Sequence, residues 1–222
     1  MLMAGAGVLA LGSGSASAYT LTFDGDICTA SPCTNFSLIQ QSYGDVAGVV
    51  DVKYNYDINN PGTTTGAAGS EMSFWTTDYN DLVNVAYSST GGIPTIFLQP
   101  LAGQAVTLNG LDLGAWPNRT GLSQLTIVDG LNNVLFTTGG GPFSEPVGVG
   151  STTHNHYSFL LTSLTGIGIQ FGPESYNVGI DNVDFTVGVN PVPLPAALPL
   201  FASAVALFGV YARRRKQKVA LA

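Results

Sequence analysis

The chain has 222 residues, which is enough for one domain with a buried core. Only 9% of the residues are charged, against about 25% in ordinary soluble proteins, and 28 are Gly, a composition that favours short β-strands joined by turns. Two basic and fourteen acidic residues precede Arg213, a net charge of −12 that argues against nucleic acid as a partner, because binding phosphates requires a basic surface.

The first 18 residues have the features of a secretory signal peptide. An apolar stretch at Val8–Leu11 is followed by small residues that end in Ala16-Ser17-Ala18, an A-x-A cleavage site before Tyr19. No Lys or Arg precedes the apolar stretch, so either the true start lies upstream or the signal is weak. We expect export through the secretion translocon and cleavage by signal peptidase; a buried N-terminal strand is the alternative.

Cys28 and Cys33 are the only cysteines and lie in a Pro-containing loop. An exported chain meets an oxidising compartment, where two such thiols pair as a disulfide. Two thiols alone make a weak metal site, and C-x4-C is not the redox spacing. We therefore predict a disulfide that pins the N-terminal edge of the domain, stabilising it by about 2 kcal/mol because the closed loop is small.

Between residues 19 and 187 the dominant hydrophobic period is two. Over Val50–Ile58 every even position is apolar and every odd position is polar, which predicts a strand with one packed face and one wet face. Shorter patterns of the same kind occur at Leu21 and Phe23, at Ile167, Ile169 and Phe171, and at Val183, Phe185 and Val187.

Turn signals separate these patterns, among them Asn60-Pro61-Gly62, Gly91-Gly92, Asn109-Gly110, Asp129-Gly130 and Gly172-Pro173. About ten or more short strands, with no long segment of period 3.6, indicate an all-β domain. We predict an antiparallel β-sandwich of jelly-roll type over residues 19–187, followed by a linker at residues 188–193.

Acidic residues follow the first strand and lie in the last one. In a regular strand Asp181 shares the face of Val183, so it would point inward unless a bulge intervenes, and an inward carboxylate needs a partner or a cation. Phe23-Asp24 and Ile180-Asp181-Asn182-Val183 resemble the terminal-strand calcium site of jelly-roll carbohydrate-binding modules. The resemblance implies structural calcium at Asp24 and Asp181; the alternative is that Asp181 caps a turn or bonds to the backbone.

The most suitable side chains for stacking on a sugar ring are those of Trp75, Tyr79 and Trp116. Trp116 precedes Pro117 in a turn-like stretch, so we expect it to be exposed. We predict Trp75 and Trp116 as ligand contacts, with core packing as the alternative for each ring. Their polar neighbours in the sequence are Asp78, Asn80, Asp81 and Asn118.

His154 and His156 are the only histidines, and their spacing places both on one face of a strand. Such a pair can bind a metal if a third ligand arrives from elsewhere, but the sequence identifies none. We therefore interpret them as exposed loop histidines. A Ser-His-Asp triad is not predicted, because the G-x-S-x-G motif is absent and these residue types mean little without geometry.

The C-terminal region has three parts in order. A short Pro-containing motif comes first, residues 194–212 then form an apolar run, and a basic cluster occupies residues 213–218. A helix of 19 residues roughly matches the hydrocarbon core of a bilayer, about 30 Å, and the basic cluster would stay on the cytoplasmic side. The motif is Val192, Pro193, Leu194, Pro195 and Ala196, and the cluster contains Arg213, Arg214, Arg215 and Lys216.

This set closely resembles the PEP-CTERM sorting signal of Gram-negative bacteria, in its VPLPA variant, over residues 191–217. The resemblance implies recognition by an exosortase, a membrane cysteine transpeptidase or protease, which removes the tail near the Pro motif. The protein would then pass from the inner membrane to the cell surface or extracellular matrix. An ordinary C-terminal anchor that stays uncut is the alternative.

Two function classes follow for the exported domain. The first is a non-catalytic surface or matrix protein that binds exopolysaccharide or other envelope components. The second is a secreted hydrolase acting on polysaccharide, which needs paired carboxylates about 5 to 10 Å apart in a cleft. We favour the first, because neither a nucleophile motif nor an acid pair can be assembled from the sequence.

We predict that the mature protein lacks the residues after about Pro195 and is found outside the inner membrane, because motif, span and basic cluster form a complete set. Intact-mass measurement on the native extracellular protein checks this. Finding Lys216 or Val219 in the major extracellular form would contradict the prediction.

Overall fold

The computed structural model describes residues 16–55, 72–89, 92–139, 141, 145–148 and 152–189. The chain divides into two compact units, Met1–Asn190 and Pro191–Ala222, of which the second lies wholly outside the described residues. Most of the predicted signal peptide lies outside them too, as do the sorting motif Val192, Pro193, Leu194, Pro195 and Ala196 and the cluster Arg213, Arg214, Arg215 and Lys216. Within the described ranges, no helix is long and apolar enough to cross a membrane.

The described residues form an all-β domain, as predicted, whose twelve strands pair antiparallel in two sheets. The bounds are β1 Ser17–Leu21, β2 Val50–Tyr54, β3 Ser73–Trp75, β4 Val85–Tyr87, β5 Thr95–Pro100, β6 Gln104–Ala115, β7 Gly121–Asp129, β8 Val134–Thr137, β9 Glu145–Val147, β10 Asn155–Ser163, β11 Ile167–Gly172 and β12 Val178–Val189. The first sheet has the order β10-β6-β12-β4-β3, with β1 also paired to β12. The second has the order β2-β5-β11-β7-β8, with β9 paired to β7.

Both sheets contribute to one buried core, which fits a β-sandwich. The predicted alternation holds in β2, where Val50, Val52 and Tyr54 are buried and the two residues between them are partly exposed. Burying such apolar faces is the main favourable term for a domain this poor in charged residues. Other core residues are Leu111, Leu113, Ile180, Val183 and Phe185 from the first sheet and Ile96, Leu98, Ile127 and Ile169 from the second.

The predicted disulfide is confirmed. Cys28 and Cys33 are bonded, with their Cα atoms 5.3 Å apart, and the Cys28 side chain is buried. Cys28 also pairs with Ile39 in an isolated bridge, and the backbone N–H of Thr29 donates to the carbonyl of Leu38 at 2.8 Å. The disulfide therefore fixes part of the segment between β1 and β2, which packs on the core through Cys28 and Ile39.

The N-terminal strand includes the expected cleavage position. β1 begins at Ser17, which lies opposite Val187 in the register, and continues to Leu21 opposite Val183. Cleavage before Tyr19 would leave Tyr19–Leu21 paired with β12.

The turn expected at Asn109-Gly110 is wrong, because both residues lie inside the twelve-residue strand β6. A Cβ at Gly110 would lie 3.0 Å from the carbonyl oxygen of Tyr157 and 3.4 Å from the His156 ring. The neighbouring strands are irregular here: β10 shifts register after Ser158, and β12 shifts beside its pairing with Gly110. Gly110 therefore marks a place where the neighbouring strand approaches closely. An isolated Gly within a strand pattern can indicate such an approach as well as a turn.

The bulge that decides the direction of Asp181 is present. β12 shifts register between Asp181 and Asp184, and Asn182 has φ of 49°. The extra residue lets Ile180 and Val183 both enter the core, so Asp181 lies on the outer face of the first sheet. The inward orientation of a regular strand therefore does not occur.

A layer of side chains covers part of this outer face. Tyr79 and Leu82 come from the segment between β3 and β4, and Val85 and Tyr87 come from β4 itself; they form a small apolar cluster, with Trp75 and Trp116 packed against it. The layer lies close to the backbone of the sheet at the cross-strand pair Gly114 and Gly179. A Cβ at Gly114 would clash with the Tyr79 carbonyl oxygen, and one at Gly179 would lie 2.6 Å from Val85 Cγ2.

We predict that Gly114→Ala lowers the free energy of unfolding by about 1 to 3 kcal/mol, because the added methyl group overlaps the backbone of Tyr79. Denaturant unfolding measures this. Asn109→Ala, at a partly exposed position of the same strand, is the control and should change stability by less than about 0.5 kcal/mol. Equal effects would contradict the close packing of this layer.

Candidate functional site

Five aromatic rings gather on the outer face of the first sheet. They surround a cavity of about 10 Å³, close to the space of one water molecule, and belong to Trp75, Tyr79, Tyr87, Trp116 and Tyr176. We call them the aromatic cluster. Chain segments far apart in sequence supply them, since Tyr79 and Tyr176 are 97 residues apart and the Tyr79 hydroxyl donates to the Tyr176 carbonyl at 2.8 Å.

The two predicted sugar contacts, Trp75 and Trp116, lie side by side in this cluster. Their ring centroids are 6.2 Å apart with an interplanar angle of 74°, an edge-to-face arrangement. Both side chains are half-buried, so Trp116 is less exposed than its place before Pro117 suggests. Tyr176 is the most open ring of the cluster, with 41% of its surface exposed.

Two polar atoms of the cluster are left over. Nε1 of Trp75 and the hydroxyl oxygen of Tyr87 are buried, and neither has a hydrogen-bond partner among the described residues. Burying an indole N–H without an acceptor costs about 1 to 3 kcal/mol. Burial also raises the pKa of Tyr79 and brings that of Tyr87 to about 12, so both hydroxyls stay protonated at neutral pH.

An open pocket of about 340 Å³ adjoins the cluster, within the size range of ligand sites. Arg119 and Glu174 face each other across it at 4.0 Å, and Nε of Arg119 donates to the Trp116 carbonyl at 2.9 Å. Its other lining residues are Thr120, Gly121 and Leu122. The pocket thus has one positive and one negative side chain in its lining, and Arg119 connects it to the backbone of Trp116.

The predicted polar partners divide into three groups. Asp78 and Asn118 bond to each other at 3.2 Å at the exposed rim of the cluster. Asn80 is buried and structural, since its Oδ1 accepts from the backbone N–H of Ala115 at 2.6 Å. Asp81 bonds to a histidine instead of facing the aromatic rings.

Asp24 and Asp181, the predicted calcium pair, lie near each other and near a third carboxylate, Asp112. Asp181 is 5% exposed, and its Oδ1 accepts from the backbone N–H of Asn182 at 2.7 Å. Asp24 accepts a hydrogen bond of 2.7 Å from Asn84 Nδ2. Desolvation, and after it the negative charges of Asp24 and Asp112, raise the pKa of Asp181 to about 8.

Both histidines contact carboxylates. Nδ1 of His154 lies 2.8 Å from Asp81 Oδ1, and Nδ1 of His156 lies 2.6 Å from Asp112 Oδ1. Although desolvation of Asp81 works in the opposite direction, hydrogen bonds from the ring and the backbone N–H of His154 lower the pKa of Asp81. The interpretation as exposed loop histidines is therefore wrong for each in a different way: His154 precedes β10 but only 26% of its side chain is exposed, whereas His156 is 61% exposed but lies in β10.

Cation ligands are assembled only in part. The described ranges contain no group of three or more His, Cys, Asp or Glu side chains already arranged to hold a metal ion. Asp24 and Asp181 still suit calcium chemically, because both offer carboxylate oxygens and Asp181 is costly to ionise without a compensating charge.

Asp112 is the residue that sequence reasoning missed. It alternates with Leu111 and Leu113, which enter the core, so by period alone it is an ordinary wet-face residue. The cross-strand register places it opposite both Asp181 and His156, and long-range pairing of this kind leaves no trace in the sequence.

Comparison with protein-family models, with curated proteins and with solved structures found no match.

We predict that Asp181 makes the domain less stable as pH rises from about 4 to about 8. Its folded pKa lies above the ordinary 3.8, so across this window the folded state holds a proton that the unfolded state has lost. In chelator, the melting temperature of wild type should fall as pH rises through this window, and the fall should be smaller in Asp181→Asn. Asp129→Asn is the control, because hydrogen bonds from Asn133 lower the pKa of that carboxyl instead of raising it. The same dependence of melting temperature on pH in wild type and Asp181→Asn would contradict the prediction.

Proposed function

We propose that this chain is an exported protein of the cell surface or extracellular matrix whose β-domain binds extracellular polysaccharide without cutting it. The aromatic cluster carries the proposal. Half-buried Trp75 and Trp116 and open Tyr176 offer apolar ring surface to a ligand. Sugar rings combine an apolar face with polar edges, which matches this arrangement.

The surroundings of the cluster support a polar ligand. Arg119 and Glu174 in the adjoining pocket, and Asp78 and Asn118 at the rim, provide hydrogen-bond donors and acceptors to a saccharide. The rings pack edge to face and leave little open area, so we expect weak binding. Avidity on a repeating polysaccharide would compensate.

Export is the second part of the proposal. The disulfide between Cys28 and Cys33 supports an oxidising compartment. The PEP-CTERM-like region of residues 191–217 adds an exosortase as the processing partner and the inner membrane as the place of the intermediate. Jelly-roll connectivity, as in many surface lectins, is the finer form of the fold that we propose.

The negative charge of the domain makes calcium relevant to binding. The region before Arg213 carries −12, so a polyanionic glycan would be repelled unless divalent ions bridge the two. We include a structural calcium at Asp24 and Asp181, where a cation would offset the charges that raise the pKa of Asp181.

A polysaccharide hydrolase is the second candidate, and one observation favours it. Asp112 and Asp181 lie directly opposite each other in the β6–β12 register, and the raised pKa of Asp181, about 8, suits a general acid. Both carboxylates are buried, however, which would keep a sugar ring from them. We therefore rank it below binding.

We predict that extracted matrix polysaccharide retards the full chain in affinity electrophoresis and that Trp116→Ala removes most of the shift. Phe136→Ala is the matched control, since that ring packs edge to face against Phe159, outside the cluster. Parallel gels with calcium and with chelator test the bridging ion.

Two results would contradict the proposal. Equal retardation of wild type and Trp116→Ala would remove the aromatic cluster from binding. Release of reducing ends, abolished in Asp181→Asn, would favour the hydrolase.

A further inference from the structure

Three side chains converge on one point beside the aromatic cluster. Nε2 of His154 and Nδ1 of His156 both face Oδ1 of Asp112, at 3.5 and 2.6 Å. His156 lies at the start of β10 and His154 immediately precedes that strand, and the carboxylate comes from β6 next to it. The H-x-H pair therefore has a third group within reach, which the sequence does not reveal.

The far atom of each group is held by another residue. Nδ1 of His154 bonds to Asp81 Oδ1 at 2.8 Å, and Nε2 of His156 to Ser158 Oγ at 3.1 Å. Oδ2 of Asp112 accepts from Asn182 Nδ2 at 2.8 Å. Metal-binding histidines and carboxylates are oriented in this way, by partners that fix the ring and aim the free atom at the ion.

Two of the three inner atoms are acceptors that face each other, Nε2 of His154 and Oδ1 of Asp112, whereas Nδ1 of His156 donates to the same carboxylate oxygen. A carboxylate only accepts, so the ring nitrogen of His154 that faces Asp81 is the donor. In the neutral ring Nε2 then presents its lone pair to a carboxylate oxygen 3.5 Å away. A metal ion or a second proton resolves this repulsion.

We propose that His154, His156 and Asp112 bind one divalent transition ion of the zinc class. Two imidazole nitrogens and one carboxylate oxygen suit zinc and its neighbours, whereas calcium prefers oxygen ligands. The ion takes the place of the proton between His156 and Asp112, and that proton leaves to solvent. Three protein ligands leave one position for water or a ligand oxygen, on the side where His156 is exposed.

The metal-free geometry explains why the set is not yet a coordination shell. Two ligands about 2.05 Å from a tetrahedral ion are about 3.3 Å apart, which is longer than the 2.6 Å hydrogen bond of His156 and close to the 3.5 Å of His154. His156 has room to move outward because its ring is largely exposed. A Cβ at Gly110 would crowd that ring, so the glycine keeps the space open.

The test uses the full chain in mild detergent, stripped with chelator and returned to metal-free buffer. Titration calorimetry with zinc chloride should give a saturable site that releases a proton, with affinity at least tenfold above that for calcium chloride. Zinc should also raise the melting temperature, because it binds only the folded site. Failure of wild type to bind zinc, or equal affinity for both ions, would overturn the proposal and leave a second proton as the bridge.

Variants locate the site. His154→Ala, His156→Ala and Asp112→Asn should each weaken zinc binding by about tenfold or more, whereas Asp129→Asn, which changes an acid at the end of β7 in the second sheet, should not. X-ray absorption at the zinc edge of wild type should show two imidazole ligands, and this readout stands even if a variant fails to fold. Unchanged affinity in both histidine variants, or a zinc spectrum without imidazole, would overturn the proposal.

Discussion

The close contact of Gly114 and Gly179 with the segment above them is the constraint on which the outer face depends. These two residues lie opposite each other in neighbouring strands, and side chains there would push Tyr79 and Val85 away. Because neither has a Cβ, a second apolar layer can sit directly on the sheet. The aromatic cluster exists because this layer is close, and Trp75 and Trp116 meet within it.

Two carboxylates lie next to the aromatic rings on this face. Asp112 is a wet-face residue by period and the bulge turns Asp181 to the same face, yet the two residues are only 6% and 5% exposed. Desolvation, and after it the charges of Asp24 and Asp112, raise the pKa of Asp181 to about 8, and Asp112 lies 2.6 Å from Nδ1 of His156. The buried aromatic rings and the mutually repelling carboxylates therefore lie next to each other on the outer face of the first sheet.

The bulge at Asn182 links the two sides of this arrangement. It returns β12 to the core face after Ile180, turns Asp181 outward, and lets the Asn182 side chain fix Asp112. Bulges are common beside functional sites, because they redirect one side chain without breaking the strand. In this domain one irregular residue aligns Asp181, Asp112 and His156 across three strands.

The sequence by itself determined what depends on local pattern. Period-two alternation predicted the buried positions of β2, β11 and β12, and the two cysteines predicted their own bond. The strand predicted over Val50–Ile58 ends at Tyr54, however, and Asn55, which the pattern places on the wet face, is buried. Trp75 and Trp116 could be singled out because they are the only two Trp residues. Local pattern failed at Asn109-Gly110, where a turn-forming dipeptide lies within a strand because the space beside His156 requires glycine.

Only the tertiary structure decided which residues share a site. The register of β6 against β10 and β12 brings Asp112 to His156 and to Asp181, and these pairings join residues 44 and 69 positions apart. Cross-strand neighbours are set by the packing of the whole core, so no window of sequence contains them. For the same reason the histidine pair had no visible third partner, because Asp112 lies in β6, a strand in which the sequence suggested a turn at Asn109-Gly110.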